Sequence, residues 1–323
     1  MDITNKRILV TGSGGFLGSH LVEKLRAKGC KDLHLPRSHE VDLTREEQVD
    51  RLFDTIRPQI VLHLAGLVGG IGANKAFPAQ FFYNNLMMGV LTLHYAQKYG
   101  AELAVSSGAG CGYPEHAPLP LKESDFWNGM PQKESAPYSL AKRMLMVQSW
   151  AYWDEHHFNS VVVVPGNIYG PFDNFDLEGA HVVPAMVRKF VEATENSLAE
   201  VEVWGSGKPT RDFVYAGDVA EGIILAAEKC TAPTVLNLSS GGETSIRELV
   251  DTLVDVTGFN GRLVWNTSRP DGQSRRYFDV GRAKNELGWS VKTSLREGLI
   301  KTVDWYRANR STARNHMIYP TNS

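Results

Sequence analysis

The segment Val10-Thr11-Gly12-Ser13-Gly14-Gly15-Phe16-Leu17-Gly18 follows a short β-rich run, Lys6 to Val10, and leads into a stretch with helical spacing, Ser19 to Lys28. Glycines at this spacing, between a strand and a helix, let the backbone approach a pyrophosphate and aim the helix's N-terminal N–H groups at it. Glycine also serves ordinary turns, so the pattern gains its meaning from the strand-loop-helix context. It predicts a dinucleotide site with Gly12, Gly15, Phe16, Leu17 and Gly18 at the phosphates.

The unit repeats downstream. Leu33 to Leu35, a helix around Glu46 to Ile56, and the apolar run Ile60 to Ala65 alternate as strand, helix and strand. Runs that are apolar throughout suit parallel strands covered on both faces. Further strands are expected at Leu103 to Ser106 and Ser160 to Val164, separated by a long helix from Tyr138 to His156. The fold class is therefore α/β, a Rossmann-type doubly wound parallel sheet. After Pro165 the text changes to Gly/Pro/Asn/Asp-rich loops, a helix from Val183 to Glu192, and short β runs at Val201 to Trp204 and Phe213 to Tyr215. The expected division is a nucleotide-binding domain of 1–167 plus 212–237, with a smaller α+β substrate lobe of 168–211 plus 238–323.

Cofactor choice turns on the end of the second strand, where an NAD enzyme usually carries an acid for the ribose 2′-hydroxyl. The text here is Leu35-Pro36-Arg37-Ser38, with an arginine and no acid. A guanidinium suits a 2′-phosphate, which favours NADP(H), although a solvated surface arginine is the plainer alternative. Asp42 and Leu43 fall where an acidic side chain meets the adenine amino group.

Tyr138-Ser139-Leu140-Ala141-Lys142 begins the long helix and puts Tyr138 and Lys142 on one face. A lysine beside a tyrosine lowers the phenol's pKa from about 10 and makes it a usable general acid for a carbonyl oxygen. The YxxxK pattern alone is common; with the glycine loop upstream it is informative.

These motifs resemble the extended short-chain dehydrogenase/reductase family and, within it, the GDP-L-fucose synthase family. The more specific matching segments are Val68-Gly69-Gly70-Ile71-Gly72-Ala73-Asn74, Cys111-Gly112-Tyr113-Pro114, Asp173-Asn174-Phe175, His181-Val182-Val183-Pro184 and Val203 to Arg211. The resemblance implies an NADPH-dependent enzyme that epimerises a GDP-4-keto-6-deoxy-hexose at C3 and C5 and then reduces C4. It implies that Cys111 and His181 form the epimerisation pair, that Tyr138 protonates the forming alkoxide, and that Lys142 holds the tyrosine and the nicotinamide ribose. Further cofactor contacts follow by the same resemblance from Leu64, Ala65, Gly66, Pro165, Asn167, Ile168 and His181, and substrate contacts from Lys189, Trp204, Arg211 and Asp271. Each has a plainer alternative: Trp204 as a core aromatic, Asp271 as a turn residue, His181 as a structural residue at a helix start. Cys30 and Cys230, on helical stretches, read as small apolar core residues.

The pattern departs from the family at one point. A Ser or Thr stands two residues before the family's cysteine, and that count lands here on Ala109. Ser107 reaches the site only through a backbone bulge that Gly108 and Gly110 would have to permit. Three explanations stay open: Ser107 as a shifted catalytic hydroxyl, a natural enzyme with weakened reduction, or an engineered alanine.

Composition narrows the classes. A net charge of -2 with a pI near 6.6, and no run of lysines or arginines, argues against nucleic acid. No apolar stretch reaches the roughly 20 residues of a membrane span and the chain enters a strand at once, so no membrane association and a cytoplasmic setting are expected. Three cysteines without CxxC or Cys/His spacing predict neither a disulfide framework nor a metal site. Helices at Leu86 to Tyr95 and Leu140 to Trp153, rich in Met87, Met88, Met144 and Met146, are more apolar than one sheet face requires, and the resemblance implies that they pair across a two-fold axis, so a homodimer through a four-helix bundle is expected. Still open are a GDP-sugar 3,5-epimerase without net reduction, a reductase of a related GDP-deoxysugar or heptose, and a catalytically silent NADP-binding regulatory protein, which Ala109 alone supports.

Overall fold

The computed structural model describes residues 1–177, 179–269 and 271–313; the 314–323 end of the expected second lobe lies outside them. In chain order the elements begin β1 (Ile8–Thr11), α1 (Phe16–Lys28), β2 (Leu33–His34), α2 (Glu46–Ile56), β3 (Ile60–His63), α3 (Ile71–Ala76), α4 (Pro78–Lys98) and β4 (Leu103–Ser107). They continue α5 (Ala136–His156), β5 (Asn159–Pro165), β6 (Asn167–Tyr169), α6 (Val182–Glu195), β7 (Glu200–Trp204), β8 (Thr210–Arg211), β9 (Phe213–Tyr215) and α7 (Ala216–Lys229). The last are β10 (Thr234–Leu238), β11 (Thr244–Ser245), α8 (Ile246–Thr257), β12 (Arg262–Asn266), α9 (Gly281–Leu287) and α10 (Leu295–Asn309).

Six strands form one sheet in the order β10-β5-β4-β3-β1-β2, every pairing parallel. Valines and leucines alternate to two covered faces: Val105, Val161 and Val163 meet α1 and α7, while Ala104, Val162 and Val164 meet the α4–α5 side. The chain winds from β1 outward to β2, then returns to the other side of β1 as β3. That reversal opens a crevice beyond the carboxyl ends of β1 and β3, where ligands of such sheets bind.

A third core gathers Phe175, Val187 and Phe190 with Leu249, Leu253, Val303 and Tyr306, so α6, α8 and α10 pack around the β7–β12 pair. From the segment after β10, α9 turns back to the sheet layer, where Ala283, Leu287 and Trp289 share a core with α7. Cys30 and Cys230 are buried as expected, but each lies just past a helix end rather than on the helix. No helix among the described residues is long and apolar enough to cross a membrane. Of the four methionines read as an interface, Met146 is core and Met87 and Met88 pack against it; the exposed apolar side chains of α4 and α5 are instead Phe82, Tyr83, Val147 and Trp150.

Candidate active site

The glycine loop is built by close approach. A β-carbon at Gly12 would sit 2.6 Å from the Ala65 nitrogen, and one at Gly18 would collide with the Gly12 carbonyl. Thus α1 starts directly against β1, and the Leu64–Gly66 loop leaves β3 alongside it. Arg37 lies over this loop, since a β-carbon on Gly14 would run into its guanidinium. Its cation therefore faces the place where a dinucleotide's phosphates meet the N-terminus of α1. Asp42 accepts the Thr44 amide at 2.9 Å and its hydroxyl at 2.7 Å, capping the turn into α2, and Leu43 is buried beneath. The cradle and the arginine together fit a dinucleotide with a 2′-phosphate.

Tyr138 and Lys142 share one face of the first turns of α5, both buried. The Lys142 ammonium would stand 3.3 Å from a β-carbon on Gly66, which brings the lysine to the loop after β3. The expected lowering of the phenol does not occur. Burial pushes Tyr138 up, with nearby Cys111 adding to it, and pushes Lys142 down from 10.5 to about 8. A desolvated lysine and a desolvated phenol each favour the neutral form, and burial is the largest cause for both.

Cys111 sits in a one-turn 3-10 helix, Gly110–Gly112, just beyond β4. The residue is half-buried against the cluster of Ala73, Phe81, Ala109 and Tyr138, and burial pushes the thiol up. Ala109 packs with Tyr138, Phe81 and Ala73. Strand β4 runs in unbroken register to Ser107 opposite Val163, without a bulge, and the Ser107 hydroxyl faces the Gly108 carbonyl at 3.2 Å.

His181 is the residue before α6, reached by solvent yet enclosed, and that enclosure holds its imidazole below the ordinary value. The Val68–Asn74 segment is folded by the buried Asn74, whose amide nitrogen donates to the Gly69 and Gly70 carbonyls at 2.9 and 3.1 Å. Gly70 faces Gly179, so this segment borders the loop leading to His181. On the second lobe, Arg211 donates to the carbonyls of Thr210 and Gln273, both at 2.7 Å, and stands beside Arg276 with like charge. Trp204 is an exposed ring, not a core aromatic, with Lys189 at 5.1 Å and Arg269 at 4.8 Å from its centre. Asp271 accepts the Ser206 amide and hydroxyl at 2.6 and 2.7 Å, tying its loop to the one after β7 rather than closing a local turn. Asn167 donates to the Asp212 carbonyl at 3.1 Å, beside the Pro165 end of β5, and the half-buried Ile168 follows it.

Sequence reasoning passed over several groups that hold these in place. Asn85 clasps Leu67, accepting its amide at 3.1 Å and donating to its carbonyl at 3.0 Å. The buried Asp212 accepts from the amides of Ser240, Gly241 and Phe278. His63 is buried next to Thr11, its Nδ1 2.8 Å from the hydroxyl, and is held down to about 3, hence neutral. A polar residue in an apolar run was the only signal for any of them.

A cleft at the switch point of a parallel sheet, with a glycine cradle on one side and a Tyr/Lys pair on the other, defines a nucleotide-cofactor enzyme of the epimerase and dehydratase type. The chain belongs to the NAD dependent epimerase/dehydratase family, whose model matches residues 8–239. It is 37% identical over 309 residues to GDP-L-fucose synthase 1 of Arabidopsis thaliana, covering 96% of this chain and 95% of that protein. Among solved structures it is similar to a GDP-L-fucose synthetase from Naegleria fowleri bound to NADP, with a TM-score of 0.91 at 28% identity, over 96% of this chain and 95% of the other. It is also similar to a GDP-D-glycero-L-gluco-heptose synthase from Campylobacter jejuni in the presence of NADPH, with a TM-score of 0.88 at 29% identity, over 95% and 99%.

Proposed function

We propose that this protein is an NADPH-dependent epimerase/reductase of a GDP-4-keto-6-deoxy-hexose, working in the cytoplasm. The observation that carries the reading is the meeting of Cys111, Tyr138 and Lys142 at the carboxyl edge of one sheet. In this reading 1–167 plus 212–237 hold the cofactor and 168–211 plus 238–323 hold the nucleotide-sugar, with α9 returning to the sheet layer. Lys189, Trp204, Arg211 and Asp271 face the substrate nucleotide, where Arg211 suits a diphosphate and Trp204 a stacked base.

The 4-ketone makes the C3 and C5 protons acidic, and Cys111 and His181 divide their removal and return. Both groups are neutral at working pH, so neither adds a fixed charge to the sugar pocket. Bound NADPH supplies the hydride for C4. Tyr138 gives its proton to the C4 oxygen, and a protonated Lys142 eases that transfer. Arg37 favours NADPH over NADH through the 2′-phosphate.

The test is to follow solvent deuterium incorporation and NADPH oxidation together on GDP-4-keto-6-deoxy-mannose. Both are expected in the intact enzyme. Cys111→Ser loses exchange at C3 and C5 and still reduces an already epimerised ketosugar, because hydride transfer uses Tyr138. Exchange at the normal rate in that variant gives Cys111 a structural role. Similarity to the heptose synthase favours a second reading, a GDP-heptose reductase, so a GDP-4-keto-heptose belongs in the same assay.

A further inference from the structure

The turn that carries Cys111 has glycine on both sides, Gly110 and Gly112, so its own backbone leaves the thiol poorly fixed. Both glycines are dictated by packing: a β-carbon on Gly110 would meet the Phe278 ring at 2.9 Å, and one on Gly112 the Phe126 ring at 2.9 Å. Its own backbone supplies two bonds, Gly112 to the Ala109 carbonyl at 2.9 Å and Tyr113 to the Gly110 carbonyl at 3.3 Å, and the side-chain bonds that hold it come from outside. Each of its three consecutive carbonyls accepts a hydrogen bond from a different side chain: Gly110 from Arg276 Nη2 at 2.6 Å, Cys111 from Ser139 Oγ at 3.0 Å, and Gly112 from Arg143 Nε at 2.6 Å.

We infer that Arg276, Ser139 and Arg143 are positioning residues that clamp the Cys111 turn, and that Ser139 and Arg276 also set the proton affinity of its thiol. This rests on the reading of Cys111 as a proton-transfer group. Ser139 Oγ lies 3.2 Å from the Cys111 sulfur and 3.0 Å from its carbonyl, so its single proton is shared between the two and can turn to the sulfur when the thiol ionises. Arg143 is buried and Arg276 half-buried, neither makes an ion pair among the described residues, and Arg143 Nη2 has no hydrogen-bond partner. Their charge is therefore not cancelled locally, and a cation largely withdrawn from water acts over several ångströms.

The groups that face the thiol are Tyr138, Ser139 and Lys142 from α5, and Arg276 from the segment before α9. Burial raises the thiol; Ser139 lowers it most among the opposing groups, followed by Arg276, with Lys142 smaller. Arg276 also donates to the Gln273 side chain at 3.2 Å, while Arg211 donates to the Gln273 backbone carbonyl. One residue thus links the proposed diphosphate arginine to the cation beside the thiol.

The experiment is the pH profile of Cys111 in full-length protein, read as thiolate ultraviolet absorbance with Cys111→Ser as the blank, and as alkylation by iodoacetamide located by peptide mass spectrometry. Ser139→Ala and Arg276→Gln are each expected to move the midpoint to higher pH by about one unit, a roughly ten-fold loss of thiolate at fixed pH. Arg276→Lys restores most of the shift, as a structural contact alone would not, and NADPH binding reports that each variant is folded. Should Arg276→Gln fail to fold, Ser139→Ala, which removes one hydroxyl, decides. A midpoint unchanged in folded Ser139→Ala and Arg276→Gln overturns the inference. Normal deuterium exchange by Cys111→Ser would instead overturn the proton-transfer reading and leave the tuning of the thiol standing.

Discussion

Tyr138 shares its apolar surroundings with Ala109, Phe81 and Ala73, so in the proposed reaction the side chain at 109 offers the C4 oxygen a methyl group and no donor. Charge growing on that oxygen then has one hydrogen-bond donor fewer than two. Ala109→Ser is expected to raise single-turnover NADPH oxidation by about ten-fold to a thousand-fold with little change in nucleotide-sugar affinity, the mark of an interaction made in the transition state. Ser107→Ala is expected to be neutral, and a collapse of reduction in that variant would return the role to Ser107. Lys142 gives a second test. Its pKa stands at about 8 in the fold against an ordinary 10.5, so the fold disfavours the charged lysine, fully below pH 8 and not at all above 10.5. Lys142→Met should abolish reduction yet stabilise the protein at pH 7 by up to about 3 kcal/mol, with the gain fading toward pH 10.5 in urea titrations. The Tyr/Lys spacing was readable in the sequence; the sign of the tyrosine's shift was not, because burial depends on Phe81 and the loops that cover it.

At the scale of elements, β1 to β5 were legible from their short apolar runs, with ends that moved by only a residue or two, while β10 was foreseen only as a return of 212–237 to the sheet. In the second lobe α6 was legible, but α8, α9 and α10 were missed although the starts of α8 and α10 carry a signal. Ser294 accepts from the Glu297 amide at 3.3 Å while Glu297 accepts from the Ser294 amide at 2.9 Å, and Ser245 accepts from the Glu248 amide at 3.0 Å. Helix α10 buries Leu299, Val303 and Tyr306 in the third core, so its start matters to that lobe. Ser294→Ala should cost about 1 kcal/mol in chemical denaturation, with the first turn of α10 losing amide protection ahead of the sheet.

For the whole molecule, α4 and α5 lie side by side and expose Phe82 at 40%, Tyr83 at 56%, Val147 at 41% and Trp150 at 41%. We propose a homodimer through this face, a surface too apolar to sit comfortably in water. Light scattering should give a dimer that Trp150→Glu with Tyr83→Glu converts to a monomer still able to bind NADPH; a monomeric wild type would refute it. The sequence by itself determined the alternation of strands and helices from β1 to β5, the glycine cradle and the Tyr138/Lys142 spacing, since each depends on residues within a turn or two of one another. The tertiary structure alone decided which side chains hold Cys111. Arg276 lies 165 residues from Cys111 in the chain, and Ser139 and Arg143 lie 28 and 32 residues from it. Only the packing of α5 and the 272–279 segment against the end of β4 brings them to one turn, and no local pattern records a contact made across the fold.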